Sequence, residues 1–432
     1  MGQAITLVVA AAAAFGLLAA EAEAQVPNGA VYIESDVGDV PGQNSVLAFR
    51  RNSNGTLTQT GTFPTGGTGV HPIAASLGNL PATLGPFDSD QDLIFNADAT
   101  QLFAVNSGSD TIAVFNINTD GSLVPVKGSP FPSGGRQPVS LGLAAGGSIL
   151  TVVNKDYDTA RPGFDIGQRA PNYTALRVNP DGKLISVPFS TVIAGQGGTV
   201  LGPGNPEPSQ ALIGLGGRLV FDADTFGTAI HSLRVDANGR LEAVTTLGTP
   251  PAAPLVPLPL PNPTGRAFVL GLAAHPSAQV FYAGFIAEGQ VGVHRYNQAG
   301  DFHFVKSVFA GLGICWIRTN AAGNRIYTSN TLVNTISVLD SSDPLNPFKL
   351  QEFSLAGPVG PPMLPGQGTT QIALDGRGEY LYVVTQQAFD FMTPEANALH
   401  ALRLGADGKI DAQTDRVTIP VSPSLPQGVI AK

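Results

Sequence analysis

The chain has 432 residues, a net charge of −9 and one cysteine, Cys315. With no cluster of Lys and Arg, that charge argues against nucleic acid or an anionic membrane surface as partner, and a lone cysteine excludes an intramolecular disulfide. Only 13% of residues are charged while Gly (52) and Pro (35) are abundant, which suits many tight turns between strands better than solvated helices.

Taken in chain order, the first element is "MGQAITLVVAAAAAFGLLAAEAEAQ". Its apolar run ends in Ala22, Glu23 and Ala24, a small-x-small cleavage signal, so residues 1–24 read as a secretory signal peptide. No later apolar run is long enough to span a bilayer. The expectation is a soluble periplasmic or extracellular protein whose single domain is 25–432.

Next come "GAVYIES", "NSVLAFR" and "LTQTGTF", three strand-like segments separated by turns. The first turn of a recurring kind, "NSNGTL", follows, and its relatives are "NTDGSL", "NPDGKL", "DANGRL", "NQAGDF" and "GADGKI". Their glycines are Gly55, Gly121, Gly182, Gly239, Gly300 and Gly408, spaced about 60 residues apart except for the last interval, which holds a degenerate copy at Ser341 to Leu350. Asn or Asp before Gly between alternating apolar runs signals a hairpin, because these residues tolerate positive φ. Around each turn the order is strand a, turn, strand b, connection, strand c, turn, strand d. "RIYTSNTLVNTISVLD" and "QLFAVNSGSDTIAVFN" are two statements of the same b and c pair. Seven such units predict an all-β, seven-bladed β-propeller with four-stranded antiparallel blades. The N-terminal unit lacks its strand a, and "LPQGVIA" near Lys432 supplies it, so both ends of the chain close the last blade.

That order sorts the loops onto two faces. The a–b and c–d turns are short, whereas the b–c and d–a connections include "NKDYDTARPGFDIGQRAPN", "TQQAFDFMTPEAN", the stretch around His71 and a Pro-rich insert from Thr249 to Gly265. Function concentrates on loops held by a rigid scaffold, so the long-loop face is the candidate site. Beside those loops stand the carboxylates Asp36, Asp39, Asp88, Asp90, Asp92, Asp156, Asp158, Asp224 and Glu288, with the cations Arg136, Lys155, Arg161 and Arg318. Such a mixed-sign mouth could hold a hydroxylated acid. Arg318, in the inner strand "CWIRTN", is expected to point into the channel, where a guanidinium needs an anion or several carbonyls. No nucleophile elbow, zinc-protease, P-loop or C-x-x-C motif occurs. His231, His294 and His400 sit alike in three c strands and read as structural, and His71 is the one histidine placed for catalysis. "DSDQD" at Asp88 to Asp92 starts like a calcium loop but lacks its glycine and its closing glutamate. No metal or other cofactor is expected, and the partner is a small molecule bound by what is taken to be a monomer.

The repeats "LFAVNSGSDTIAVFNI" with a D-G-x-L turn, "TGGTG" and "SGGRQPVSLGL" make the chain resemble the seven-bladed lactonases, related to 6-phosphogluconolactonase and the muconate-lactonizing enzyme, in their exported bacterial branch. The resemblance implies lactone ring opening or closing, at a site made by a histidine, an Arg-His pair and a glutamate. Here the histidine position carries Gln91, the pair falls near Val139 and Ser140, and the glutamate position is Lys155. Arg136 could stand in for the arginine, and Asp224 lies where related exported sequences carry Glu. One reading is therefore a lactonase-like hydrolase, with Arg136 or Arg318 holding substrate, Asp224 or His71 activating water, and Lys155 and Gln91 in contact with it. The alternative is a non-catalytic propeller binding a small ligand or an exported protein on the same face.

Overall fold

The structure is a computed structural model that describes residues 28–38, 40–70, 89–195, 205–251, 265–358, 367–387, 394–419 and 425–432. The signal-peptide segment, His71, Asp39, Asp88 and most of the Pro-rich insert lie outside the described residues.

Seven antiparallel sheets surround a central channel. In blades 1 to 7 the inner strands are Leu93–Phe95, Pro138–Ala144, Leu212–Ile213, Val269–Ala274, Ile314–Thr319, Gln367–Leu374 and Gln427–Ala431. The last of these pairs antiparallel with Ala30–Glu34, with Val31 opposite Ala431 and Tyr32 opposite Ile430, so blade 7 is closed by both ends of the chain. Two backbone bonds, Gly29 N–H to Lys432 O at 2.6 Å and Lys432 N–H to Ala30 O at 3.0 Å, extend that pairing. Closure gives blade 7 the inner strand that the N-terminal segments lack.

Apolar residues along the strands pack between blades. One cluster joins Tyr32, Val46 and Ala48 of blade 7 to Leu93, Leu102 and Phe115 of blade 1, and another joins Phe221 and Ile230 of blade 3 to Phe281 and Phe302 of blade 4. Each fully buried side chain of this size contributes about 1.5–3 kcal/mol, so neighbouring blades stabilise one another and the ring is the cooperative unit. His294 belongs to this core. It is buried, stacked on Phe281 with centroids 4.8 Å apart, and burial pushes its pKa down to about 3. His400 is driven down to about 3 as well, first by burial and then by the charge of Arg416, and its Nε2 lies 3.0 Å from the Thr385 hydroxyl. Both are neutral structural imidazoles, as their shared place in the repeat suggested.

All six turn glycines have φ between +77° and +96°, which accounts for their recurrence. Their carbonyls also serve as docking points between blades. Tyr32 donates its hydroxyl hydrogen to Gly121 O at 2.8 Å, Tyr327 to Gly408 O at 2.7 Å and Thr414 to Gly55 O at 2.9 Å. A Cβ on Gly55 would lie 2.8 Å from Thr414 Cβ and 2.9 Å from the Tyr380 hydroxyl, whereas one on Gly42, also at positive φ, would meet nothing within 4 Å. Gly42→Ala is expected to cost about 1 kcal/mol for the backbone alone, and Gly55→Ala about 2–3 kcal/mol because overpacking is added. Urea unfolding of the two variants measures the difference.

Candidate functional site

Asp90 and Arg318 divide the channel. Asp90 precedes the inner strand of blade 1, and Arg318 reaches it from blade 5. Arg318 Nη2 donates to Asp90 Oδ1 at 2.6 Å, Nη1 donates to Asp90 Oδ2, and Nη1 donates again to the Ile317 carbonyl at 2.9 Å. Arg318 thus does point into the channel and does find an anion, but one supplied by the chain. Gln91, at φ 66°, donates to Leu141 O at 3.0 Å and accepts from Gln210 Nε2 at 2.9 Å, which closes the same partition. On the short-turn side of it lies a funnel; on the long-loop side lies a cluster of buried charge.

Blades 2 and 3 supply the cluster's cations. Lys155 follows the b strand Ile149–Asn154 and is fully buried, with its ammonium 3.1 Å from Glu207 Oε1. Arg169, on the loop that returns to the c strand, donates from Nε to Asp156 O at 2.6 Å and from Nη2 to Pro206 O at 2.9 Å. Its guanidinium lies 4.6 Å from the Tyr157 ring centre. Arg169 Nη1, Tyr157 Oη and Glu207 Oε2 are buried without a hydrogen-bond partner among the described residues, a costly condition where no ligand or water meets them. Arg136 is 39% exposed at the rim, with Nε 3.3 Å from Asp156 Oδ1. Arg161 grips Asp110 with two bonds of 2.7 and 2.6 Å.

Blades 7 and 1 supply carboxyl groups in excess. Glu34 ends the b strand of blade 7; burial first, then the charges of Asp36 and Asp92, hold its pKa well above the usual range. Asp36 is raised likewise, first by burial and then by Asp92 and Asp158, against a lowering bond from Val70 N–H. Asp92 accepts from the Ser89 hydroxyl at 2.7 Å and stands at about 7, raised first by burial and then by Asp90 and held back by Ser89 and by the charge of Lys155. Its Oδ2 is unpartnered among the described residues, as is Glu34 Oε2. Asp36, Gln91, Gln137 and Asp156 all adopt left-handed backbone at this mouth, which costs non-glycine residues on the order of 1 kcal/mol each and is tolerated where surroundings over-determine a geometry.

Asp224 is placed differently from a free base. Its Oδ1 accepts from Glu207 N–H at 2.7 Å and from Gly227 N–H at 2.8 Å, and its Oδ2 lies 3.2 Å from His231 Nε2. His231 is therefore an ionic partner rather than only a core imidazole. Burial opposes its charge, but the bond to Asp224 and the charges of Asp224 and Asp222 outweigh burial and raise its pKa. Asp224 positions the loop that carries Glu207. Glu288, in the b–c turn of blade 4, is buried with both oxygens unpartnered among the described residues, and burial raises it to about 7.

The six residues singled out in the sequence are thus not one constellation. Lys155 enters the buried charge cluster, Arg136 stands at its rim, Asp224 lies behind it, Gln91 and Arg318 form the partition, and His71 falls outside the described residues. Glu34, Arg169 and Glu207 escaped the sequence reading. Among the described residues no set of three or more His, Cys, Asp or Glu could hold a metal ion. No helix among them is long and apolar enough to cross a membrane. Cys315 is buried, with the Thr331 hydroxyl 2.9 Å from its sulfur.

No protein-family model matches the chain, and no curated protein matches it. Solved structures do. A candidate 6-phosphogluconolactonase of Bacteroides uniformis is 14% identical, with a TM-score of 0.63 over 92% of this chain and 98% of that one. The periplasmic gluconolactonase PpgL of Pseudomonas aeruginosa is 15% identical with the same TM-score and coverage. A Lactobacillus plantarum protein is 15% identical, again at 0.63, over 93% of this chain and 99% of its own. At these identities the likeness shows a shared fold.

Proposed function

We propose that the chain is an exported hydrolase that opens small lactones of the sugar-acid type at the buried charge cluster of the long-loop face. The observation that carries this reading is the meeting, in one buried place, of a carboxyl at about 7, Asp92, and the ammonium of Lys155, whose charge acts on it. A base with a pKa near the working pH is the one best suited to move a proton in either direction. Asp92 takes a proton from water, and the hydroxide adds to the lactone carbonyl. The resulting oxyanion is stabilised by Lys155 and by the unpartnered Nη1 of Arg169. The ring C–O bond then breaks, and the ring oxygen leaves with the proton held on Asp92. Arg136 meets the substrate's oxygens at the rim, and Asp224 keeps the Glu207 loop in place. The similarity of the whole propeller to structures described as a candidate 6-phosphogluconolactonase and a periplasmic gluconolactonase supports the choice of lactones, and the leader-like first 24 residues support export.

One observation favours a non-catalytic binding propeller instead. Lys155, Arg318 and Asp224 already have partners within the chain, so the scaffold needs no substrate to neutralise them. Hydrolysis of glucono-δ-lactone and its 6-phosphate by purified protein separates the readings. Asp92→Asn is expected to lower kcat by about 10²–10⁴-fold, and Arg136→Ala to raise KM with a smaller effect on kcat. Absent activity, or rates unchanged in both variants, would favour the binding propeller.

A further inference from the structure

The funnel on the short-turn side of the partition is a cavity of about 460 Å³ that the reaction above does not use. It is the size of a small-molecule site. Six of the seven inner strands line it, four of them with their C-terminal halves, and its wall is apolar: Ile94, Ile213, Leu272, Ile317, Leu374 and Ile430. Among the described residues one charged side chain faces it, Arg318.

The donor inventory of that arginine defines what the funnel can hold. A guanidinium carries five N–H donors. Two bonds go to Asp90 and one to Ile317 O, leaving Nε–H and the second hydrogen of Nη2 with no partner among the described residues. Those two lie on one edge of the guanidinium plane, and the side chain keeps 24% of its surface exposed. The neighbouring amides offer nothing more, since Gln91 and Gln210 are bonded to each other and to the Leu141 and Leu272 carbonyls. The head of a ligand must therefore accept and need not donate. Its charge is constrained too, because Asp90 already neutralises Arg318, so the floor is not net positive and a carboxylate head would be brought beside the carboxylate of Asp90.

We infer that this funnel is a second binding site, for an uncharged apolar molecule that ends in a carbonyl and sets its oxygen against the free edge of Arg318. The site is independent of lactone hydrolysis, and a ketone that cannot be hydrolysed keeps the two distinguishable. Calorimetric titration of the full chain with 2-nonanone and with nonanoate is the test. The ketone is expected to bind, and the carboxylate at least ten-fold more weakly. Two variants locate the site: the paired change Arg318→Met with Asp90→Asn, which removes the donors without stranding a buried charge, and Ala274→Phe, which fills the funnel from its wall. Each is expected to weaken the ketone at least ten-fold while the circular dichroism of the fold is retained. No binding, nonanoate binding as tightly as the ketone, or ketone affinity unchanged in both variants would overturn the inference and leave the funnel to water.

Discussion

Lys155→Met is expected to lower the stability of the folded chain by about 3–5 kcal/mol, because it leaves Glu207 in the interior without the ammonium that faces it. The pair is 3.1 Å apart, with side-chain exposures of 0% and 2%. Solvent therefore cannot replace the lost charge, as it would around the exposed pair of Arg403 and Asp411 at 3.9 Å. Burial already raises the pKa of Glu207 in spite of Lys155, so the single variant should respond by taking up a proton on Glu207. The double variant Lys155→Met with Glu207→Gln removes both charges and is expected to recover most of the loss. Urea midpoints for the two single variants and the double variant complete a cycle. A coupling near zero would mean that the pair does not hold blades 2 and 3 together.

Asp92→Asn is expected to act in the opposite sense, stabilising the protein at pH 8 by on the order of 3 kcal/mol with little effect at pH 4. The sign follows from linkage. The folded pKa of Asp92 is about 7, above the value of about 3.9 that an unfolded aspartate has. Between those values the folded state holds a proton that the unfolded state has released, so this group's contribution is fully present below the unfolded pKa and is lost as pH rises through 7. Glu288, also at about 7, adds a loss in the same window. His294 and His400, lowered to about 3, work the other way and lose stability as pH falls below about 6.5. Above that pH the raised carboxyls and His231, whose pKa is also raised, lose stability together, so denaturation midpoints measured from pH 6.5 to 8 should decline in the parent chain and decline less steeply in Asp92→Asn. If Asp92 is also the base, that substitution trades activity for stability, the usual relation at a site kept under strain. A midpoint that rises with pH across this range would refute the assignment.

The turn glycines and the apolar alternation announced the propeller because both are local requirements: a hairpin needs its positive φ, and a strand between two packed layers needs its period of two. Even the closure of blade 7 could be read, since three strands without a partner at one end and one strand left over at the other admit a single completion. The short and long connections were likewise assigned to opposite faces by strand order alone.

Direction and company of charged side chains were not legible in the same way. Asp224 looked like a base on a loop, yet two backbone N–H groups and His231 hold it. Arg318 was read correctly as pointing into the channel, while its partner, Asp90, lies 228 positions away in the chain. Glu207, within "NPEPSQ", has no feature that marks it until Lys155 is found against it. The sequence by itself determined the number of blades and their strand order, because each is fixed by contacts between neighbours in the chain, and the circular closure, because one strand is unmatched at each end. Only the tertiary structure decided which charges meet and which carboxyls have their pKa raised, and that the Asp90–Arg318 pair parts a buried charge cluster from an apolar funnel. Those depend on groups brought together across blades, where burial and distance, not spacing along the chain, set the energies.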